Sequence, residues 1–246
     1  MAKKVNKADE QFANVEENLS KAGLYVVSNS VKLIKIVGTI VIIIALYFGY
    51  QEFIVAPNEK EAPLEMYIAE FHFSNNNFYK ALNGDTTISM NNIGDTVLLF
   101  HKGFLNISEE YSSTNTGNIA NYYAAICQMN LGSSLDSLQY FENALSSLKK
   151  FKTDDKIISS LATGLKGDAN MELGNINEAM SFYKSAANDY INSFTTPYFM
   201  MKQAKILESN EDFSSAIKIY NTIKSDYPES KEGINIDKYI SSASNR

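Results

Sequence analysis

Apolar and polar positions divide this chain into two regimes. From Leu33 to Tyr50 it reads LIKIVGTIVIIIALYFGY, apolar on every side of a helical projection. Eighteen helical residues rise roughly 27 Å, close to the roughly 30 Å hydrocarbon core of a bilayer. Phe53-Ile54-Val55-Ala56 can lengthen the run, and Pro57 is expected to end it. Lys32 and Lys35 at one end have stems long enough to reach headgroups, and Tyr47 and Tyr50 at the other suit the interface. Dense β-branching without a polar stripe separates the run from a buried core helix, so residues 32–56 are predicted to span a membrane.

After Pro63 the apolar positions return at helical spacing and begin to repeat. The first stretch has Ala69-x-x-His72, then Phe78-x-x-Ala81. The second has Ala125-x-x-Gln128, Leu131-Gly132, then Ser137-x-x-x-Phe141-x-x-Ala144. The third, the fullest, has Gly167-x-x-Asn170, Leu173-Gly174, then Ala179-x-x-x-Tyr183-x-x-Ala186. The fourth has Ala204-x-x-Leu207, then Phe213-x-x-Ala216-x-x-x-Tyr220, and closes at Tyr227-Pro228. Small residues let two antiparallel helices approach, and an aromatic ring fills the gap between them. The pattern resembles the tetratricopeptide repeat, whose period is about 34 residues. That resemblance implies an all-α fold: one transmembrane helix, then a helical solenoid. Gly132 and Gly174 lie further apart than one ideal period, and the excess is assigned to inter-repeat turns at 152–155 and 192–197. Asn83 to Asp95 is polar and turn-rich and reads as a loop, with a helix near Gly103 to Tyr111 after it. Ser230 to Ser242, with Ile236, Tyr239 and Ile240 on one face, is predicted to cap the solenoid.

Charge sets the orientation. Lys3, Lys4, Lys7, Lys21, Lys32 and Lys35 precede or open the span, and Lys60, close to Glu52, Glu59 and Glu61, is the only lysine or arginine among the twenty residues that follow it. The positive-inside rule then makes 1–31 a cytoplasmic segment, 32–56 an uncleaved signal anchor and 57–246 an extracytoplasmic repeat domain. Within 1–31, Phe12, Val15, Leu19 and Ala22 share a helical face, consistent with a weak amphipathic helix or a loose tail. The net charge of −6 and the single arginine, Arg246, argue against nucleic acid as a partner. This architecture is similar to that of the bacterial YfgM-like family, ancillary subunits of the Sec translocon that associate with periplasmic folding factors. The resemblance implies a bacterial inner-membrane location, a periplasmic repeat domain and a role in protein export or folding. It carries no functional residue over. A structural subunit of an envelope or outer-membrane assembly complex is the other reading.

Catalytic constellations are scarce. His72 and His101 begin no metal-ligand motif, and Cys127 lies between Ile126 and Gln128 on a repeat helix, where a buried, inert thiol is expected. The glycines at 132, 164, 167 and 174 follow no strand and form no phosphate cradle. We therefore expect a non-enzyme with no cofactor and no metal, binding proteins or peptide segments. If the first helix of each pair lines the groove, the register places Met66, Glu70 and Phe73 there from the first repeat and Tyr122, Ile126 and Met129 from the second. Asp168, Met171 and Glu172 follow from the third, and Tyr198, Met201, Lys205 and Glu208 from the fourth. With Lys205 as the only cation in this set, the lining favours a neutral or basic peptide. The same Met and Tyr residues also suit packing between helices.

The orientation is directly testable. Protease added to intact spheroplasts should digest residues 57–246, and their protection would reverse the assignment.

Overall fold

The computed structural model describes Val15, Ser20, Lys21 and residues 23–90 and 95–246. The expected amphipathic face at Phe12, Leu19 and Ala22 lies outside the described residues. Residues 1–57 and 58–246 form two compact units.

In the first unit, helix α1 spans Ser30–Tyr50 and none of its residues is buried. It belongs to a helical segment long and apolar enough to cross a membrane. Pro57 does not end the helix, contrary to expectation. Gln51–Val55 forms a π turn, in which the Ala56 N–H donates to the Gln51 carbonyl, and helix α2 (Ala56–Ser74) follows directly. The wider turn absorbs a proline ring that would otherwise crowd the carbonyl four residues before it.

The second unit is a row of helix pairs. After α2 come α3 (Phe78–Asn83), β1 (Asp85–Met90), β2 (Thr96–His101) and α4 (Phe104–Glu110). Three pairs follow: α5 (Asn115–Leu135) with α6 (Leu138–Lys150), α7 (Lys156–Glu172) with α8 (Ile176–Asn188), and α9 (Thr195–Ser209) with α10 (Phe213–Asp226). A 3₁₀ turn, Gly233–Asn235, leads into α11 (Ile236–Ser244). Ile236 is buried and Tyr239 and Ile240 pack on the last core cluster, as expected of a cap.

The turn inside each pair is marked by a residue with positive φ: Asn76, Asp136, Gly174 and Glu211. Positions 136 and 174 are 38 apart, and 174 and 211 are 37 apart. The apparent Leu-Gly period is therefore a misalignment. Gly174 sits in a turn with φ +77°, whereas Gly132 lies buried within α5, one helical turn before Asp136 closes it.

Packing explains why Gly132 looked equivalent. In the third and fourth pairs a small residue seven places before the turn, Gly167 or Ala204, precedes a buried ring nine places after it, Tyr183 or Tyr220. A Cβ at Gly167 would lie 2.5 Å from the Tyr183 ring. In the second pair this contact moves one helical turn toward the loop: a Cβ at Gly132 would lie 2.7 Å from Phe141. Ala179 and Ala216 take the place of Phe141 in the later pairs, and both are fully buried.

The all-α expectation needs one correction. The segment read as a loop holds an antiparallel hairpin, with Asp85 opposite His101 and Met90 opposite Thr96. It interrupts the second helix of the first pair. A Cβ at Gly103 would meet the Gly84 nitrogen at 2.3 Å, so the two ends of the insertion touch. The 6 residues of α3 and the 7 of α4 match the 13 of α6 and of α8. Read across the insertion, Ala81, Phe104 and Ile107 repeat the small–aromatic–apolar series Ala216, Tyr220 and Ile223. All six are essentially fully buried. Phe104 stacks on Tyr123 with centroids 5.1 Å apart. The ring of the first repeat is thus Phe104, not Phe78.

The hairpin is tied at its root. Asp85 accepts from Lys80 at 2.9 Å and lies 3.4 Å from His72, which occupies the rim of α2. The Lys80 hydrogen bond holds the Asp85 carboxyl below the usual carboxylate range. Just beyond the other strand, Lys102 donates to Glu110 and to the Tyr111 hydroxyl, at 2.9 and 3.0 Å. Beyond the root the strands are exposed, Ile88, Met90, Leu98 and Phe100 all more than half so.

The hairpin should therefore be dispensable to the fold. Deleting 84–102, so that Asn83 runs into Gly103, should leave cooperative melting of the repeats within about 4 °C of wild type, as for the loss of a surface element. Loss of the cooperative transition in circular dichroism would refute the insertion.

Candidate functional site

Helix α9 borders three adjoining concavities. Its start is fixed by Asn192, whose side-chain Oδ1 accepts from the N–H groups of Phe194 and Thr195 at 2.9 and 2.7 Å. Thr195 and Thr196 are buried beneath this loop, while Phe194 is left 69% exposed. On the opposite bank, the chain after α10 turns tightly at Tyr227-Pro228. The Ser230 hydroxyl donates to the Tyr227 carbonyl at 2.8 Å and accepts from the Gly233 N–H at 2.9 Å. A Cβ at Gly233 would sit 2.2 Å from that same carbonyl. This turn presents Lys231 and Glu232 toward α9.

Three cavities follow one another along the helix. The first, of about 610 Å³, lies between Leu161 on α7, Phe194 and Tyr198 on one side and Glu229 to Glu232 on the other. The second, of about 450 Å³, shares Tyr198, Lys231 and Glu232 with it and adds Met201, Lys202, Lys205, Asn235, Lys238 and Tyr239. The third, of about 240 Å³, shares Lys202 and Lys205 with the second and is closed by Met171, Ile176, Tyr183 and Ile206.

The sequence-derived groove set divides on this surface. Tyr198, Met201 and Lys205 line the second cavity, and Met171 and Lys205 the third. Met201 is only 8% exposed and belongs mainly to the core. Met66 is buried in the first core cluster, and Phe73 packs on that cluster against Phe78, Phe104 and Tyr123. Tyr122 and Met129 pack between the second and third pairs, with Tyr122 5.1 Å from Phe151. Ile126, Asp168 and Glu208 are half-buried, and Glu172 is exposed. None of these four lines the three cavities.

The charge reading changes most. Asp168 lies beneath the α9 face and is already engaged: its Oδ1 accepts from the Tyr183 hydroxyl and from Lys202, each at 2.5 Å. The Lys202 ammonium also lies 5.4 and 5.1 Å from the Tyr183 and Tyr198 ring centroids. Burial works against the Lys202 charge, but the Asp168 hydrogen bond and charge more than offset it, so its pKa stands above the ordinary lysine value. Burial, reinforced by Asp168, likewise pushes the Tyr183 hydroxyl up. Lys205 is not the only cation. Lys202, Lys231 and Lys238 join it around one cavity, against Glu232 alone. Lys202 and Lys205 were legible as a face with Tyr198, the three standing at i, i+4 and i+7 on α9.

The chemistry-bearing side chains lie elsewhere. Cys127 is fully buried, and burial pushes its thiol up to about 12, leaving a negligible thiolate fraction at neutral pH. His101 is held at 2.9 Å by the Thr87 hydroxyl on the hairpin. Among the described residues no group of three or more His, Cys, Asp or Glu side chains is arranged to hold a metal ion.

The chain carries a tetratricopeptide repeat at residues 198–230. The match begins at Tyr198, runs through α10 and ends at Ser230, so it takes in the α9 bank of the cleft from Tyr198 onward but not Phe194, Lys231 or Lys238. It falls on the fourth stretch, whereas the third holds the fuller set of repeat residues. A comparison with curated proteins gives no match.

The Asp168–Lys202 pair has a pH signature. The folded pKa of Lys202 lies above the unfolded value of about 10.4, so the pair's stabilisation is fully present below that pH. It fades as pH rises through the folded value. Asp168→Ala, which leaves a half-buried ammonium without its acceptor, should cost about 1–3 kcal/mol in denaturant titrations at pH 7. It should also flatten the alkaline decline, and an unchanged pH profile would exclude the pair from the stability of the fold.

Proposed function

We propose that this protein is a membrane-anchored interaction scaffold that holds segments of partner proteins in the cleft along α9. One observation carries the reading. Three cavities join end to end on a tetratricopeptide repeat, and the residues at their mouth, Phe194 and Tyr198, are uncovered aromatics on a rigid frame. Such side chains supply large contact area at a small cost in conformational entropy. The apolar helix α1 supports an anchor at the membrane. The lysine bias around it supports a cytoplasmic N-terminus, with 57–246 on the far side of a bacterial inner membrane.

The likeness in architecture to YfgM-like proteins supports a role beside the Sec translocon and periplasmic folding factors, assisting export or folding of envelope proteins. Within the earlier groove set, Met171, Tyr198 and Lys205 are the contact residues of this proposal. Met66, Phe73, Tyr122, Met129 and Met201 serve mainly to shape the helices that present them.

Site-specific photo-crosslinking in intact membranes tests this reading. A photoreactive residue at Phe194 or Tyr198 should give discrete adducts containing translocon or folding-factor peptides by mass spectrometry. The same residue at Lys184 or Glu142, exposed on α8 and α6, should not. Equal yields at all four positions would move recognition away from the α9 cleft. Adducts made only of outer-membrane assembly components would leave the scaffold reading standing and replace the export role.

A further inference from the structure

The cleft is divided in chemistry along its length. Leu161, Phe194 and Tyr198 give the first cavity an apolar wall, and the adjoining cavity is ringed by lysines. Lys202 is neutralised from below by Asp168. Among the described residues Lys205, Lys231 and Lys238 have no carboxylate within ion-pair distance. Their charges therefore face the cavity and solvent, on a chain whose net charge is −6. The Lys238 ammonium lies 4.8 Å from the Tyr239 ring centroid, which orients it without neutralising it.

We propose that this cleft selects an acidic peptide segment, with an apolar side chain seated between Leu161, Phe194 and Tyr198 and the following carboxylates on Lys205, Lys231 and Lys238. The inference rests on the interaction function proposed above and specifies its partner, reversing the neutral or basic peptide expected from sequence. Charge complementarity selects the occupant. A nucleic acid fits poorly: the wall holds no arginine, Glu232 interrupts the basic surface, and the lysines form a single cluster rather than a stripe. Inorganic phosphate would leave the apolar cavity unused. A peptide uses both halves at once, because alternate side chains of an extended segment reach successive subsites along a groove.

Fluorescence anisotropy with the full chain in nanodiscs provides the test. The probes are a labelled peptide carrying Leu-Phe followed by three aspartates, its asparagine counterpart and its lysine counterpart. At low salt the aspartate peptide should bind about tenfold tighter than the asparagine peptide, the combined effect of two or three exposed ion pairs. The advantage should shrink as salt screens those pairs. Lys205→Gln, Lys231→Gln and Lys238→Gln together should remove the advantage, so that the aspartate and asparagine peptides bind alike. These side chains lie outside the core, so the variant should melt like wild type.

Equal binding of all three peptides, or a preference for the lysine peptide, would overturn the acidic selection and leave the scaffold reading intact. Binding of none of them, together with no crosslinks at Phe194, would sink both. Displacement of the aspartate peptide by inorganic phosphate or by short oligothymidylate at comparable concentration would show a general anion site and overturn the peptide assignment.

Discussion

Each helix pair in the repeat domain depends on one contact, a buried aromatic ring seated against a residue with little or no side chain on the facing helix. Gly167 under Tyr183 is the clearest case, since even a methyl group there would intrude on the ring. Interiors pack at crystal-like density, so a ring that must fit a glycine notch fixes both the separation and the relative rotation of two helices. The same device works between pairs. A Cβ at Gly164 would fall 1.9 Å from the Phe199 ring, so α7 and α9 approach where that ring enters. The rotation of α9 that presents Tyr198, Lys202 and Lys205 to the cleft follows from where Phe199 is buried.

That dependence also shows what was legible in the sequence and what was not. The helical period, the long apolar helix, the capping helix and the small–aromatic–small series all come from short-range spacing, and all reappear in the structure. Register across an element was less secure. The second pair moved its ring one turn toward the loop, with Gly132 and Phe141 as a matched set, and the glycine then passed for a turn residue. The first pair separated Ala81 from Phe104 by a hairpin, so the nearest preceding aromatic, Phe78, stood in for the true one. In each case a one-dimensional motif kept its residue types while the chain changed the distance between them.

The groove set divides between core and cavity for a similar reason. Met201 and Lys202 are adjacent, but 100° apart around α9. One enters the core and the other faces the cavity. Assigning a face by methionine and aromatic content favoured the side that packs, because those side chains serve both purposes. Lysines are the better reporters of a solvent-facing register, since their ammonium groups resist burial. The carboxylates misled for a different reason: Asp168 is used internally, and no spacing rule announces that Lys202, thirty-four residues later, will neutralise it.

The hairpin is tolerated where it is because its two ends meet at glycines. Gly84, with φ +94°, turns the chain out of α3, and Gly103 lets it return so close that no side chain fits between the two backbones. The helix it interrupts still delivers Ala81, Phe104 and Ile107 to the core in the order that an unbroken helix would. The ion pairs at its root, around Asp85 and Lys102, settle the direction in which it leaves. Ile88, Met90, Leu98 and Phe100 share one face of the ladder, because Ile88 pairs with Leu98 and the Phe100 and Met90 pairs lie two residues to either side. Native hairpins that carry so much uncovered apolar surface are usually short or charged at their edges. This one is short, and its body can change without cost to the helices, since the repeat core is complete without it.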